Sequence, residues 1–156
     1  MPNITYFDSP IGRITVAEEG GMIMRLFFET TAIPDGFVEA ETPVLREAVK
    51  QLNEYFAGGR KSFDLPLEMR GTEFQKKAWN ALCAIPYGET RSYAQVAESI
   101  GNPKGTRAVG LANNRNPLAI FVPCHRVIGK NGSLTGFAGG LDAKQWLLDL
   151  EKGAAK

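Results

Sequence analysis

Apolar positions along this 156-residue chain change period several times, and each change marks an element. Residues 4–8 (ITYFD) and 13–18 (RITVAE) alternate apolar and polar side chains around the turn SPIG at 9–12, which predicts a hairpin. After Gly20-Gly21, the run MIMRLFF at 22–28 predicts a third strand. The period then lengthens. Thr42 is placed to cap a helix with Pro43 at its first position, and Leu45, Val49, Leu52 and Phe56 recur at helical spacing until Gly58-Gly59 stops it. Residues 60–70 read as a linker with a short strand at SFDL.

From residue 71 the pattern is mostly helical. Thr72 with Gln75 forms a capping-box pattern ahead of the stripe Phe74, Ala78, Trp79, Leu82 and Ile85, which Pro86 and Gly88 end. Ser92 with Gln95 is a second capping box, opening a short helix that closes near Ile100-Gly101. Asn102 then reads as a cap and Pro103 as the start of a third helix running to about Asn114, so that two short helices make a helix-turn-helix. A strand LAIFV (118–122), a KNGS turn (130–133), a loop GFAGG (136–140) and a last helix from Asp142 follow. The reading is α/β (α+β): a small domain with its linker over 1–70, and a mostly helical domain over 71–156.

Composition adds little until charge is mapped. With 44% hydrophobic and 22% charged residues the chain is of ordinary globular type. Its opening MPNITYFDSP has neither a basic start nor an apolar run, so no signal peptide is expected. Nor is a membrane partner, because LAIFV falls far short of the roughly 20 residues a span needs. Two cysteines without paired spacing suit a reducing, cytoplasmic setting rather than a disulfide framework. The net charge of +1 hides an asymmetry: 7 Lys/Arg against 11 Asp/Glu in residues 1–70, but 11 against 6 in residues 71–156. Within 101–135 stand Lys104, Arg107, Arg115, Arg126 and Lys130 without one carboxylate, the footprint of a polyanion ligand.

Candidate chemistry centres on FVPCHRVIG at 121–129, where Cys124 precedes the single histidine, His125. A thiol becomes a strong nucleophile only where thiolate is favoured. Side chains of neighbouring residues in an extended segment point to opposite faces, so a water-bridged Cys–His relay, or a turn at Pro123-Cys124, fits better than direct contact. Most lone cysteines are small buried hydrophobes. Cys83, four residues after Trp79 on the apolar side of its helix, reads that way; Cys124, at a strand end beside polar and basic residues, fits it less easily. Cys83, Cys124 and His125 lack metal-ligand spacing, GFAGG makes a poor phosphate loop, and Trp79 and Trp146 read as core.

These residues resemble one family. PCHRV at 123–127 is similar to the active-site signature of methylated-DNA–protein-cysteine methyltransferases, which repair O6-alkylguanine in DNA. The resemblance runs through 71–156: PYGET with SYAQVA (86–97), GNPKGTRAVG (101–110), NNRNP (113–117), FVPCHRVIG, TGFAGG (135–140) and KQWLLDLE (144–151). Residues 1–70 resemble the family's variable N-terminal domain in layout only, a ribonuclease-H-like arrangement.

The resemblance implies that Cys124 accepts the alkyl group once and irreversibly, from O6-alkylguanine or O4-methylthymine flipped out of duplex DNA. His125 would draw off its proton through a water, oriented by Glu151. Asn116 would be a hinge, and Tyr93 would donate a hydrogen bond as the base leaves. Arg107 would replace the extruded nucleotide from a helix in the minor groove, within a DNA-facing set of Tyr93, Ala94, Asn102, Lys104, Ala108, Arg115 and Lys130. Val127, Gly136, Phe137, Ala138 and Gly139 would line the base pocket. Phe137 departs from the family's common tyrosine, and Ala138 from a serine of some members. The resemblance implies no cofactor, no metal and a monomer.

Two other readings stay open on the residues alone: a helix-turn-helix DNA-binding protein or sensor without chemistry, and a cysteine hydrolase with a direct Cys–His pair. The transfer reading requires an opening to the sulfur wide enough for a purine.

Overall fold

The computed structural model describes residues 1–153. Two compact units are present, Met1–Met69 and a second beginning at Arg70.

In the first unit, β1 (Asn3–Ser9) and β2 (Gly12–Glu19) form the expected hairpin, and β3 (Met22–Phe28) extends it antiparallel. A two-residue strand absent from the sequence reading, β4 (Val38–Glu39), adds in parallel to the free edge of β1, giving the order β3-β2-β1-β4. Helix α1 (Pro43–Phe56) starts at Thr42, whose hydroxyl accepts from Leu45 N, and packs on β1, β2 and β3. The register places Phe7 opposite Ile14 and Ile4 opposite Ala17, so these pairs lie on opposite faces of the sheet. Phe7 meets Phe56 of α1 on one face, while Ile4, Ala17, Met24 and Phe27 gather Ile33 and Phe37 on the other. Burial on both faces is why the middle of β2 shows no clean alternation.

SFDL is not a strand. The bridge lies further on, at Leu67 beside Ile23, and the segment before it is pinned by buried Gln51, whose amide exchanges hydrogen bonds with the Asp64 backbone at 2.9 and 3.0 Å. A side-chain amide here does what a strand ladder would otherwise do.

The second unit opens on α2 (Glu73–Cys83) and continues through β5 (Arg91–Ser92) into α3 (Tyr93–Ser99); both helices carry complete capping boxes, at Thr72/Gln75 and Ser92/Gln95. α4 spans Thr106–Asn114, not Pro103 onward. Asn102 and Pro103 instead open a turn closed by Gly105 N donating to Asn102 O at 2.8 Å, with Gly105 as the cap. Proline's fixed φ suits the second position of such a turn as well as it suits a first helical turn. Trp79 Nε1 donates to Ala112 O at 2.8 Å and ties α2 to α4. β6 (Val127–Ile128) pairs in parallel with β5, and α5 (Leu141–Glu151) completes the unit. Among the described residues no helix is long and apolar enough to cross a membrane.

Candidate active site

LAIFV is a buried turn rather than a strand: Leu118 through Val122 are all buried, Val122 N donates to Leu118 O at 2.8 Å, and Ile120 holds a φ of 76°. That value is an outlier for a β-branched residue, sustained only because its surroundings fix it. A short continuous apolar run carries no period, so complete burial in a turn reads like burial in a strand. Pro123 (φ −79°, ψ 65°) then makes an inverse γ-turn, with Cys124 N donating to Val122 O at 2.7 Å, and Cys124–Arg126 is one turn of 3-10 helix. At three residues per turn, Cys124 and His125 point about 120° apart. The turn alternative at Pro123-Cys124, not the extended segment, is what the chain adopts.

His125 is fully buried, and its Nε2 lies 2.7 Å from Glu151 Oε2. A carboxylate can only accept, so Nε2 carries the proton and Nδ1 carries the lone pair. Nδ1 is buried and has no hydrogen-bond partner among the described residues. Burial holds the imidazole pKa below 6.5 against the pull of Glu151, with Arg126 and Lys144 reinforcing the shift. The ring is therefore a neutral base at neutral pH.

Glu151 is held from several sides. Arg126 donates through Nε to Oε1 at 2.8 Å and through Nη2 to Oε2 at 3.1 Å, and Gly88 N donates to Oε1 at 3.3 Å. Arg126 Nη1 donates to Ile85 O at 2.7 Å, and its guanidinium lies over the Tyr87 ring. Arg126 is 7% exposed, which removes it from the basic surface to which its sequence position assigned it. Only its place beside His125 hinted at this role, because its partner lies 25 residues away.

Cys124 is 4% exposed, so the sulfur is more enclosed than its polar neighbours suggested. Burial pushes the thiol pKa up to about 11, opposed by a hydrogen bond from the Asn116 side chain and the charge of Lys144. Asn116 also donates through Nδ2 to Val122 O and accepts from Leu118 N, both at 2.9 Å, so the amide that lowers the thiol pKa also braces the buried turn. Cys83, read as buried, is exposed. A cavity of about 310 Å³ lined by Ala81, Ala84, Ile85, Arg91, Gln95, Val96 and Ser99 does not include Cys124.

Two residues that the sequence reading passed over join the site. Lys144 is fully buried, and its Nζ donates to Thr135 O at 2.8 Å. Lys144 and Glu151 stand seven residues apart on α5, two turns of one helix face. Thr135 Oγ1 in turn lies 2.5 Å from the hydroxyl of Tyr93, the first residue of α3. The β5–β6 pairing, Ser92 opposite Ile128, sets the start of α3 beside the strand that leaves the cysteine turn.

The remaining expected residues divide. Val127 is fully buried, Phe137 and Gly139 are half-buried, and Gly136 and Ala138 are exposed. A Cβ on Gly136 would stand 2.9 Å from Asn114 Oδ1, the far end of an exposed side chain at the end of α4. Ala94, Asn102, Lys104, Arg107, Ala108, Arg115 and Lys130 are all exposed. Trp79 is core, whereas Trp146 is only half-buried. Among the described residues no group of three or more His, Cys, Asp and Glu could hold a metal ion.

Comparison with known proteins agrees along the chain. Residues 73–153 match the family model described as 6-O-methylguanine DNA methyltransferase, DNA binding domain, and residues 4–69 match that family's ribonuclease-like domain. A methylated-DNA--protein-cysteine methyltransferase of Methanosarcina acetivorans is 59% identical over 149 residues, covering 93% of this chain and 95% of the relative. The constitutive enzyme of that name from Bacillus subtilis is 52% identical, covering 97% and 96%. The crystal structure of Mycobacterium tuberculosis OGT in complex with DNA superposes with a TM-score of 0.92 at 48% identity, covering 98% of this chain and 94% of that one.

Proposed function

This chain belongs to the 6-O-methylguanine DNA methyltransferase family and repairs DNA by alkyl transfer, and we propose that Cys124 is the acceptor, with His125, Glu151, Asn116 and Tyr93 serving the transfer. One observation carries the assignment of roles: a buried neutral histidine, next in the chain to a buried thiol, gives one nitrogen to a carboxylate and keeps the other free as a base.

At neutral pH a thiol of pKa about 11 is roughly one part in ten thousand thiolate, a cost of about 5 kcal/mol. The proton therefore leaves as attack begins. It passes through a bridging water to Nδ1 of His125, and Glu151 steadies the imidazolium that forms. Sulfur displaces the base oxygen at the alkyl carbon: the S–C bond forms, the C–O bond breaks with its electron pair leaving on the base, and the Tyr93 hydroxyl donates a hydrogen bond to the departing base anion. The product is a thioether, which offers water no carbonyl to attack, so each molecule transfers once.

DNA is the partner. The damaged base, O6-alkylguanine or O4-methylthymine, must leave the stack to reach a sulfur at this depth. The exposed and half-buried stretch beyond Thr135, Gly136 through Gly139, is the part that gives way to admit it, while Thr135 keeps its anchors. Exposed Arg107 on α4 fills the space left in the duplex from the minor groove, flanked by Ala108, while Tyr93, Ala94, Asn102, Lys104, Arg115 and Lys130 meet the backbone. Val127 and the Gly136–Gly139 segment form the pocket. The protein acts as a cytoplasmic monomer without a cofactor. A hydrolase is disfavoured because Cys124 and His125 diverge on their turn.

The test is transfer of labelled methyl from O6-methylguanine duplex to intact protein and to Cys124→Ala. The expected result is one label per molecule on Cys124 and none in the variant; many transfers per molecule, or label elsewhere, would refute it.

A further inference from the structure

We propose that Thr135 is a positioning residue for alkyl transfer, donating its hydroxyl proton to Tyr93 Oη so that the phenol's own proton points at the departing base. The inference rests on the reading of Tyr93 as that donor. Thr135 sits in the connection between β6 and α5 and is held twice. Its carbonyl receives Lys144 Nζ at 2.8 Å, and its hydroxyl meets Tyr93 Oη at 2.5 Å.

The backbone tie is costly to break. Lys144 is fully buried, and an ammonium away from water must keep its acceptors. The Thr135 carbonyl is the acceptor the structure gives it, so the backbone position of Thr135 is set from α5, the same helix that delivers Glu151. The phenol is fixed from its other end, since Tyr93 follows Ser92, which pairs with Ile128 just beyond the cysteine turn. The two oxygens therefore meet between segments that are each anchored to the site.

Direction follows from proton count. A hydroxyl has one proton to give and two lone pairs. If Tyr93 gave its proton to Thr135, it would have none for the base. With Thr135 donating, the phenol keeps its proton and becomes a stronger donor, because hydrogen bonds in a chain polarise one another. A threonine hydroxyl does this and an isosteric valine methyl cannot.

The experiment measures the single-turnover rate of methyl transfer from O6-methylguanine duplex to Cys124 in the parent protein, Thr135→Val, Thr135→Ser, Tyr93→Phe and the Thr135→Val/Tyr93→Phe double variant, with affinity for the same duplex measured alongside. Thr135→Val is expected to slow transfer about five- to tenfold with unchanged affinity, the net worth of one such bond. Thr135→Ser should restore the rate, and Thr135→Val should cost nothing further once Tyr93 is Phe. Should Thr135→Val fail to fold, Thr135→Ala takes its place. A parent-like rate in Thr135→Val, no rescue by serine, or an undiminished effect in the Tyr93→Phe background would overturn the proposal. A parent protein that does not label Cys124 would instead overturn the underlying reading.

Discussion

Arg126→Met tests the electrostatics of the site most directly. The substitution keeps an apolar stem of similar length and removes two bonds to Glu151, at 2.8 and 3.1 Å, and one to Ile85 O at 2.7 Å. Breaking a buried pair from one side costs about 3–5 kcal/mol, which in a chain of this size lowers Tm by roughly 10 °C. Glu151 keeps its charge and retains His125 as a partner. Burial, the largest cause holding the imidazole pKa down, remains, but with the opposing guanidinium gone the His125 pKa rises from its lowered value. A protonated ring has no lone pair on Nδ1 for the thiol proton. Transfer at neutral pH should therefore fall, and the variant should regain rate relative to the parent as pH increases. The assay is a single-turnover pH–rate profile for both proteins beside their thermal unfolding. A variant whose profile superimposes on the parent's, or whose deficit deepens with rising pH, would refute the reasoning.

Other outcomes follow from the same geometry. Because the folded-state pKa of His125 lies below its unfolded value of 6.5, the unfolded chain binds the extra proton; stability should fall as pH drops below 6.5 towards the folded value, and His125→Asn should flatten that slope in pH-dependent denaturant melts. Limiting iodoacetamide at neutral pH should label exposed Cys83 before Cys124, whose reactivity should climb about tenfold per pH unit towards 11; mass spectrometry of the peptides reads both. Trp79→Phe removes the 2.8 Å bond to the Ala112 carbonyl, which keeps Arg115 N at 3.2 Å, and should cost about 0.5–1.5 kcal/mol in chemical denaturation.

Where side chains act on their own neighbours, the chain is readable without coordinates. Thr42, Thr72 and Ser92 each cap the backbone three residues on, an interaction complete within one turn, and all three helices start where these residues say. The hairpin of β1 and β2 is legible for the same reason. Asn102-Pro103 misleads because a turn and a helix start ask the same φ of proline, and only the downstream Gly105 cap separates them. LAIFV misleads because burial from every side erases periodicity.

The motif around Cys124 marks where we place the chemistry, and PCHRV with Glu151 supplies the proposed reacting groups before any coordinate is known. Their states belong to the tertiary structure. The depth of the sulfur, the neutral tautomer of His125, the withdrawal of Arg126 from the surface and the path from Lys144 through Thr135 to Tyr93 all join residues far apart in the chain. Desolvation and charge act across space at full strength only once water has been excluded, and no local pattern encodes which distant group will stand on the far side of that exclusion.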